Sequence, residues 1–386
     1  MKGLRIVALL HQLSLTGAPR LTVDTLAAIN TEASVRIVSW DGGPLSDAVS
    51  RLGPTVVLRR DRLARFLPRG LATDHVVEAL AGGSARIRAL EQAAMLRNWK
   101  PELVYVSSVS ALPLVRMLRL AGAPVVLHVH ELGSALAWFE RTNPGLIVSV
   151  PDRYVAVSNA VAHDLVYRVG VPSGAVTVVS PYVLPPIPDA PPVSGDIDRT
   201  PLIVGGAGTP SWTKGIDLWL LAARAAVDQL GADRLRFVWV GYRDDQEGLR
   251  FRTMISKLGL EGVVELVPET GRPYDHFARF DIFAMASWEE SASLVVLEAM
   301  AMGVPVICFA PTGGPAEEVG GAGVVIPEMS PSRMADAIVD LAQSPEKRRA
   351  MGIACAKRAR ETYSRDVSLA ALVKVFDAAM TSHCRP

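Results

Sequence analysis

Cysteine is almost missing from this chain. Three occur in 386 residues, Cys308, Cys355 and Cys384. The number is odd, the spacing wide, and no pair has the interval of a metal knuckle. That argues against a disulfide framework and fits a reducing compartment, so the expected location is the cytoplasm. Cys308 falls in an apolar run, where a thiol packs as a small hydrophobe. Long apolar runs are missing too: none reaches the ~18–20 residues that cross a bilayer. Residues 4–10 already form an apolar strand, and the layout of a signal peptide is not seen. Any membrane association is then peripheral, at the inner face. Net charge is nearly absent, with 40 Lys and Arg against 39 Asp and Glu, +1 in total. A neutral chain with no recognised nucleic-acid module is not expected to bind nucleic acid. The balance hides a division. Residues 1–185 hold 19 basic and 13 acidic side chains, a net +6. The remainder holds 21 and 26, a net −5. A basic first half favours an anionic acceptor or an anionic membrane surface; ordinary surface scatter is the alternative.

What is present is a well-buried globular chain, 49% hydrophobic and 20% charged. Its length suits two domains of ordinary size. Short runs rich in Val, Ile and Leu (4–10, 35–39, 55–58, 103–106, 125–129, 154–157, 176–179) alternate with helical-period segments at 20–29, 85–98 and 159–168. Continuous apolar strands between helices indicate parallel βαβ units with both sheet faces covered. The series restarts at 201–205 and continues through 236–240, 264–267, 282–284, 304–307 and 323–326. Between the two series, residues 180–201 carry seven prolines and little periodicity, as a stiff extended linker does. The expected division is a first domain at 1–185, a linker at 186–200 and a second domain at 201–386. In open α/β sheets ligands sit at the carboxyl ends of strands, so two facing domains place the expected site in the cleft between them. Asp196 and Asp198 have the spacing of a metal-binding pair, but a proline-rich linker is a poor place for one, and no metal is expected.

The segment 281–303, DIFAMASWEESASLVVLEAMAMG, joins a buried strand, a loop with Glu289 and Glu290, and an apolar helix carrying Glu298. A helix N-terminus offers unpaired N–H groups and a positive dipole end to a phosphate. A carboxylate just before that point and another just inside it suit a diphosphate flanked by two hydroxyl-rich sugars, as in a nucleotide sugar. The plain alternative is a solvated loop charge at Glu290 and a solvent-facing Glu298. Lys214 ends the loop GGAGTPSWTKG and precedes a helix, where an ammonium can meet a phosphate oxygen. Gly205, Gly206 and Gly208 would allow a ligand close to the backbone. They do not form the glycine fingerprint of a nicotinamide enzyme.

These segments, in this order, resemble retaining glycosyltransferases of family 4, which have the two-domain GT-B fold. The pieces are LTGAPR (15–20), VVLHVHE (125–131), AVSNAV (156–161), TKGIDLWLLAA (213–223), the Glu290–Glu298 segment, EAMAMGVPVIC (298–308) and TGGPAEEV (312–319). The resemblance implies transfer of a sugar from a UDP- or GDP-sugar to a hydroxyl of a glycan, lipid-linked or small-molecule acceptor, with retention and without metal. It implies that the terminal helix crosses back to the first domain. It also implies that Lys214 binds the diphosphate, Glu298 the ribose hydroxyls and Glu290 the donor sugar. The backbone N–H groups of Ser293, Leu294 and Val295 would point at phosphate. Gly17 and Ala18, in the first βα loop, would let backbone approach the donor phosphate or acceptor. His130 falls where the family contacts the sugar near its reacting carbon; a satisfied core histidine is the alternative, and His128 reads as structural.

The chain departs from the family at Thr209, where an arginine is usual, and at Ser291 and Ser293, where glycines are usual. Those losses keep two other readings open, a sugar-nucleotide 2-epimerase and a non-catalytic partner of a transferase complex. The run RRDRLARFLPR (59–69) is a candidate patch for an anionic acceptor or membrane, or a solvated loop.

Overall fold

The computed structural model describes residues 3–59, 90–120, 122–184 and 200–383. They form two compact units, residues 1–179 with 369–386, and residues 180–368. The second unit begins ahead of the boundary at 185 read from the sequence, because Val183 packs into its core and donates its N–H to the Tyr363 carbonyl.

The first unit is a seven-stranded parallel sheet. Its strands are β1 (Arg5–Leu10), β2 (Ser34–Asp41), β3 (Thr55–Arg59), β4 (Leu103–Ser107), β5 (Val125–Val129), β6 (Arg153–Ala156) and β7 (Val176–Val178). The spatial order is β3-β2-β1-β4-β5-β6-β7. β1, β4 and β5 are buried on both faces, as the inner strands of a parallel α/β sheet are. One core under this sheet joins Ile6, Ala8, Tyr105 and Val126 to Leu372, Val375 and Phe376. The last three come from the helix Arg365–His383, whose larger part therefore belongs to this unit. The helix after β1 spans Gly17–Ile29, three residues earlier than its sequence period shows. Pro19 sits in its first turn, where a missing N–H costs nothing.

The second unit is a six-stranded parallel sheet, β8 (Leu202–Ala207), β9 (Leu235–Tyr242), β10 (Val264–Pro268), β11 (Ile282–Met285), β12 (Val306–Phe309) and β13 (Val324–Ile326), in the order β10-β9-β8-β11-β12-β13. One side of its core is aromatic. Trp219 meets Phe237 and Trp239 edge-on, with centroids 5.4 and 5.3 Å apart. A fully buried side chain of Phe size contributes roughly 1.5–3 kcal/mol. In each sheet the chain steps outward from the first strand, then returns to its other side. The reversals lie between β1 and β4 and between β8 and β11, where open α/β sheets leave a crevice at the strand ends.

Candidate active site

In the second unit, three loops leave the carboxyl ends of β8, β11 and β12 and lock together. Gly215 ends the β8 loop at φ +60°, and a Cβ there would lie 1.8 Å from the Ala286 carbonyl oxygen. Only glycine fits so close an approach at that φ. The Trp288 N–H donates to the Thr213 carbonyl at 2.9 Å. Glu290 is clamped to the β12 loop. Its N–H donates to Thr312 and its carbonyl accepts from Gly314, both at 3.0 Å. Gly314 in turn packs so tightly on Ser291 that a Cβ would come within 2.2 Å of its carbonyl oxygen.

This locking brings Lys214 and Glu290, 76 residues apart, into a direct ion pair. The pair was not visible in the sequence, which gave the two residues separate roles toward a ligand. Their side chains are 24% and 14% exposed, so a ligand reaching either meets both. Beside them, Trp212 stacks on Trp288, centroids 6.3 Å apart and planes within 7°.

Glu298 lies in the helix Leu294–Ala301 and is fully buried. The solvent-facing alternative for it does not hold. Ser293 is the N-cap of that helix, its hydroxyl accepting from the Val296 N–H at 3.4 Å. Of the three N–H groups expected to face a phosphate, that of Ser293 is already bonded within the protein. The Ser293 N–H donates instead to Glu318 Oε1 at 2.7 Å, while those of Leu294 and Val295, in the first turn, have no acceptor among the described residues. Glu318 is 3% exposed. Its pKa is pushed well above the usual carboxylate range, first by burial and then by Glu290 and Glu317, against the opposing pull of the Ser293 N–H and Lys214. Sequence reading passed over Glu318. Its one signal was a second acid in TGGPAEEV, next to Glu317.

The glycines before Lys214 act differently from expectation. A Cβ on Gly205 or Gly206 would enter the rings of Phe280, or of Trp239 and Trp219, at 2.1–2.8 Å, so these two admit core aromatics. Gly208 donates its N–H to the Val240 carbonyl at 2.8 Å and accepts from Trp239 Nε1 at 2.9 Å. With its backbone engaged, it makes room for the stem of Lys214, whose carbons lie 3.3–3.6 Å from its Cβ position.

At the carboxyl ends of β1, β4 and β5, the first unit collects polar groups of a different kind. His128 Nδ1 shares a 2.7 Å hydrogen bond with the Tyr105 hydroxyl. Burial pushes the His128 pKa down to about 3. His130, its ring centroid 4.3 Å from that of His128, is held well below the usual histidine range by burial, then by His128 and His11. His11 is lowered by burial, with the Ser107 backbone opposing. All three imidazoles are therefore neutral near pH 7, so His130 offers hydrogen bonding rather than a positive charge. Glu131 accepts from the Ser108 hydroxyl and from the N–H groups of Val109 and His130. It thereby holds Ser108 at φ +88°, a conformation serine rarely adopts. Gly17 and Ala18 are the first residues of their helix, and their N–H groups have no acceptor among the described residues.

Comparison with known proteins bears on both halves. Residues 199–344 match the family model described as Glycosyl transferases group 1, and residues 45–183 match Glycosyltransferase Family 4. The chain belongs to glycosyltransferase family 4. Among curated relatives, the D-inositol 3-phosphate glycosyltransferase of Streptomyces avermitilis is 28% identical over 293 residues, 68% of this chain and 62% of that protein. That of Streptomyces scabiei is 34% identical over 142 residues, 36% of this chain and 31% of that protein. The chain thus matches less than two thirds of the length of either. HepE of Anabaena, solved in complex with UDP and glucose, superposes with a TM-score of 0.77 at 17% identity, covering 97% of this chain and all of that one. At that identity the likeness is one of fold, and the fold is GT-B.

Position 209, where the resemblance implies an arginine, is Thr209. Two arginines of the same unit pair with carboxylates at the surface. Arg243 forms a two-pronged pair with Glu269 at 2.9 and 3.1 Å, and Arg272 pairs with Asp275 at 2.8 Å. Among the described residues no group of three or more His, Cys, Asp or Glu is arranged to hold a metal ion. No described helix is long and apolar enough to cross a membrane. Asp196, Asp198 and the arginine-rich run beyond Arg59 lie outside the described residues.

Proposed function

We propose that this chain is a retaining glycosyltransferase whose second unit holds a nucleoside diphosphate sugar and whose first unit chooses the acceptor. The observation that carries the reading is the convergence of Lys214, Glu290 and the open first turn of the Leu294–Ala301 helix at the β8–β11 reversal. The Leu294 and Val295 N–H groups and the helix dipole suit one phosphate. Lys214 suits the other, and Glu290 then turns to sugar hydroxyls. Glu298 accepts from the ribose. The UDP bound in HepE supports a UDP-sugar as the first donor to test, with GDP-sugars second. The names of the curated relatives make D-inositol 3-phosphate the first acceptor to test.

In the proposed reaction the acceptor hydroxyl oxygen bonds to the anomeric carbon on the face the diphosphate leaves. The bond from that carbon to the diphosphate oxygen breaks with its electron pair, and the hydroxyl proton passes to a phosphate oxygen. Charge grows on the diphosphate as the bond breaks, so Lys214 and the two backbone donors stabilise the transition state more than the ground state. His130, neutral, offers a hydrogen bond to an acceptor hydroxyl, and Gly17 and Ala18 offer backbone N–H groups in the same unit. No metal is assigned a role.

A thermal-shift screen of UDP, GDP and their sugars tests the donor reading. A ligand at 100 times its Kd raises stability by about 2.7 kcal/mol. No shift with any of them overturns it. Binding without turnover on D-inositol 3-phosphate or glycan acceptors would favour the partner-subunit reading, which the replaced arginine also supports.

A further inference from the structure

Among the described residues of the second unit, Glu318 is a deeply buried acid that the proposed reaction leaves without a task, and its carboxyl stands at the mouth of a helix. Its Oε1 takes the Ser293 N–H at 2.7 Å. Its Oε2, sealed from solvent, has no hydrogen-bond partner among the described residues. The side chain belongs to the short helix Gly314–Val319, so it ties the β12 loop to the entrance of the Leu294–Ala301 helix. A buried carboxyl with half its capacity unused is costly and would be selected against in a position that only filled space.

We propose that Glu318 is a positioning residue of the donor site, which by holding the Ser293 N–H fixes the helix entrance and leaves the Leu294 and Val295 N–H groups as the backbone donors for a diphosphate. The proposal rests on the nucleotide-sugar reading above. It explains how the entrance stays ordered with serine where the family often has glycine, since the serine N–H is anchored from behind. It also makes the site sensitive to charge. With burial raising its pKa, the carboxyl is neutral at low pH and anchors without opposing an anion. As pH rises toward that raised value it ionises, and a buried negative charge then stands behind the diphosphate. The groups facing it are Glu290 and Lys214 from the neighbouring loops, Glu317 on its own helix, Cys308 of β12, and Tyr363 and Arg358. Arg358 donates to the Glu317 and Glu318 carbonyls rather than to the carboxyl, so no cation is bonded to the Glu318 carboxylate among the described residues.

Two measurements on Glu318→Gln and Glu318→Val separate this idea from the reading it rests on. Amide hydrogen exchange in the nucleotide-free protein, read on the segment 291–296, needs no ligand. Valine should raise exchange there about tenfold, and glutamine, which keeps a carbonyl acceptor, should not. Equal protection in all three proteins removes the anchoring role whatever the protein binds. Calorimetry with UDP and GDP across a pH series supplies the second measurement. Relative to Glu318→Gln, wild type should lose affinity as pH rises across the series, and valine should weaken binding about tenfold throughout. If valine binds as tightly as wild type, or glutamine shows the wild-type pH trend, the positioning role fails. If wild type binds neither nucleotide, the donor reading fails, and the exchange result still decides whether Glu318 anchors the turn. Should the valine protein not fold, the glutamine pH comparison stands alone as the test.

Discussion

The two sheets share a topology, yet their functional edges are built from opposite electrostatics. In the second unit the strand ends carry formal charge, the Lys214–Glu290 pair, beside the open first turn of a helix. In the first unit the strand ends carry neutral imidazoles, a tyrosine hydroxyl and a half-buried carboxyl that accepts three hydrogen bonds. Charge at one edge suits a ligand that is itself charged. Neutral hydrogen-bonding groups at the other suit hydroxyls, where fixed donors and acceptors select geometry without attracting every passing anion. On the proposed reading, the two units divide donor from acceptor by charge state.

The sharpest way to break this comparison is at Lys214. If it is the principal cation at the diphosphate, Lys214→Ala should lower kcat/KM on the order of 100-fold or more, as removal of one preorganised donor does. Lys214→Arg should recover only part of the loss, because a planar fork does not replace a compact point charge. Steady-state kinetics on a donor found in the thermal screen decides this. Near-wild-type turnover, with collapse on replacing Arg243 or Arg272 instead, would move the charge to a residue now paired with Glu269 or Asp275.

Glu298 gives the next effect. Glu298→Ala should cost nucleotide binding roughly 1.5–3 kcal/mol, the range for hydrogen bonds to a charged group, with the thermal unfolding profile still cooperative. Unchanged affinity in calorimetry removes the ribose role.

A smaller effect compares the units without any ligand. A histidine held neutral in the fold lets the unfolded chain take up the proton first. His128 is held at about 3 against an ordinary 6.5. Its contribution is therefore complete above about pH 6.5 and is lost as pH falls from there toward 3, on the order of a few kcal/mol. His130 and His11 act in the same direction. Glu318 has the opposite sign. Its folded pKa is raised above 4.5, so its contribution is complete below about 4.5 and is lost as pH rises through the folded value. Urea unfolding followed by segment-resolved hydrogen exchange should show the first unit losing stability relative to the second between pH 7 and pH 5. Parallel losses would mean that other groups dominate. The smallest expected effect is none at all: excess EDTA should leave turnover unchanged. Loss of activity restored by magnesium or manganese would bring Asp196 and Asp198 into the site.

The charged edge was far easier to read from sequence than the neutral one. Lys214, Glu290 and Glu298 stand at strand-to-helix junctions, and a junction is a local pattern that spacing displays. Both sheets were legible for the same reason, since apolar runs alternating with helical periods are local. Residue pairing was not legible. The Lys214–Glu290 contact depends on Gly215 meeting Ala286 and on Trp288 bonding to Thr213, a meeting of loops far apart in the chain. Glycines misled for a related reason. Gly205 and Gly206 look like a ligand's doorway but are the floor beneath Phe280 and Trp239. Glu318 was missed because an acid beside an acid reads as surface, and only the packed structure shows it sealed behind Ser293.

The helix that spans Arg365–His383 has a bearing on how the chain is made. Phe376 meets the ring of Tyr105 at 5.4 Å, and Leu372 and Val375 lie in the same core. During synthesis at ~5–20 residues per second, the first sheet leaves the ribosome well before those side chains exist. It must wait while residues 180–368 are translated, and those can close on themselves as one uninterrupted stretch. The later-made half is therefore the one free to fold as soon as it emerges. The earlier half keeps an apolar seam open for some ten seconds or more, the interval in which a nascent chain most needs a chaperone.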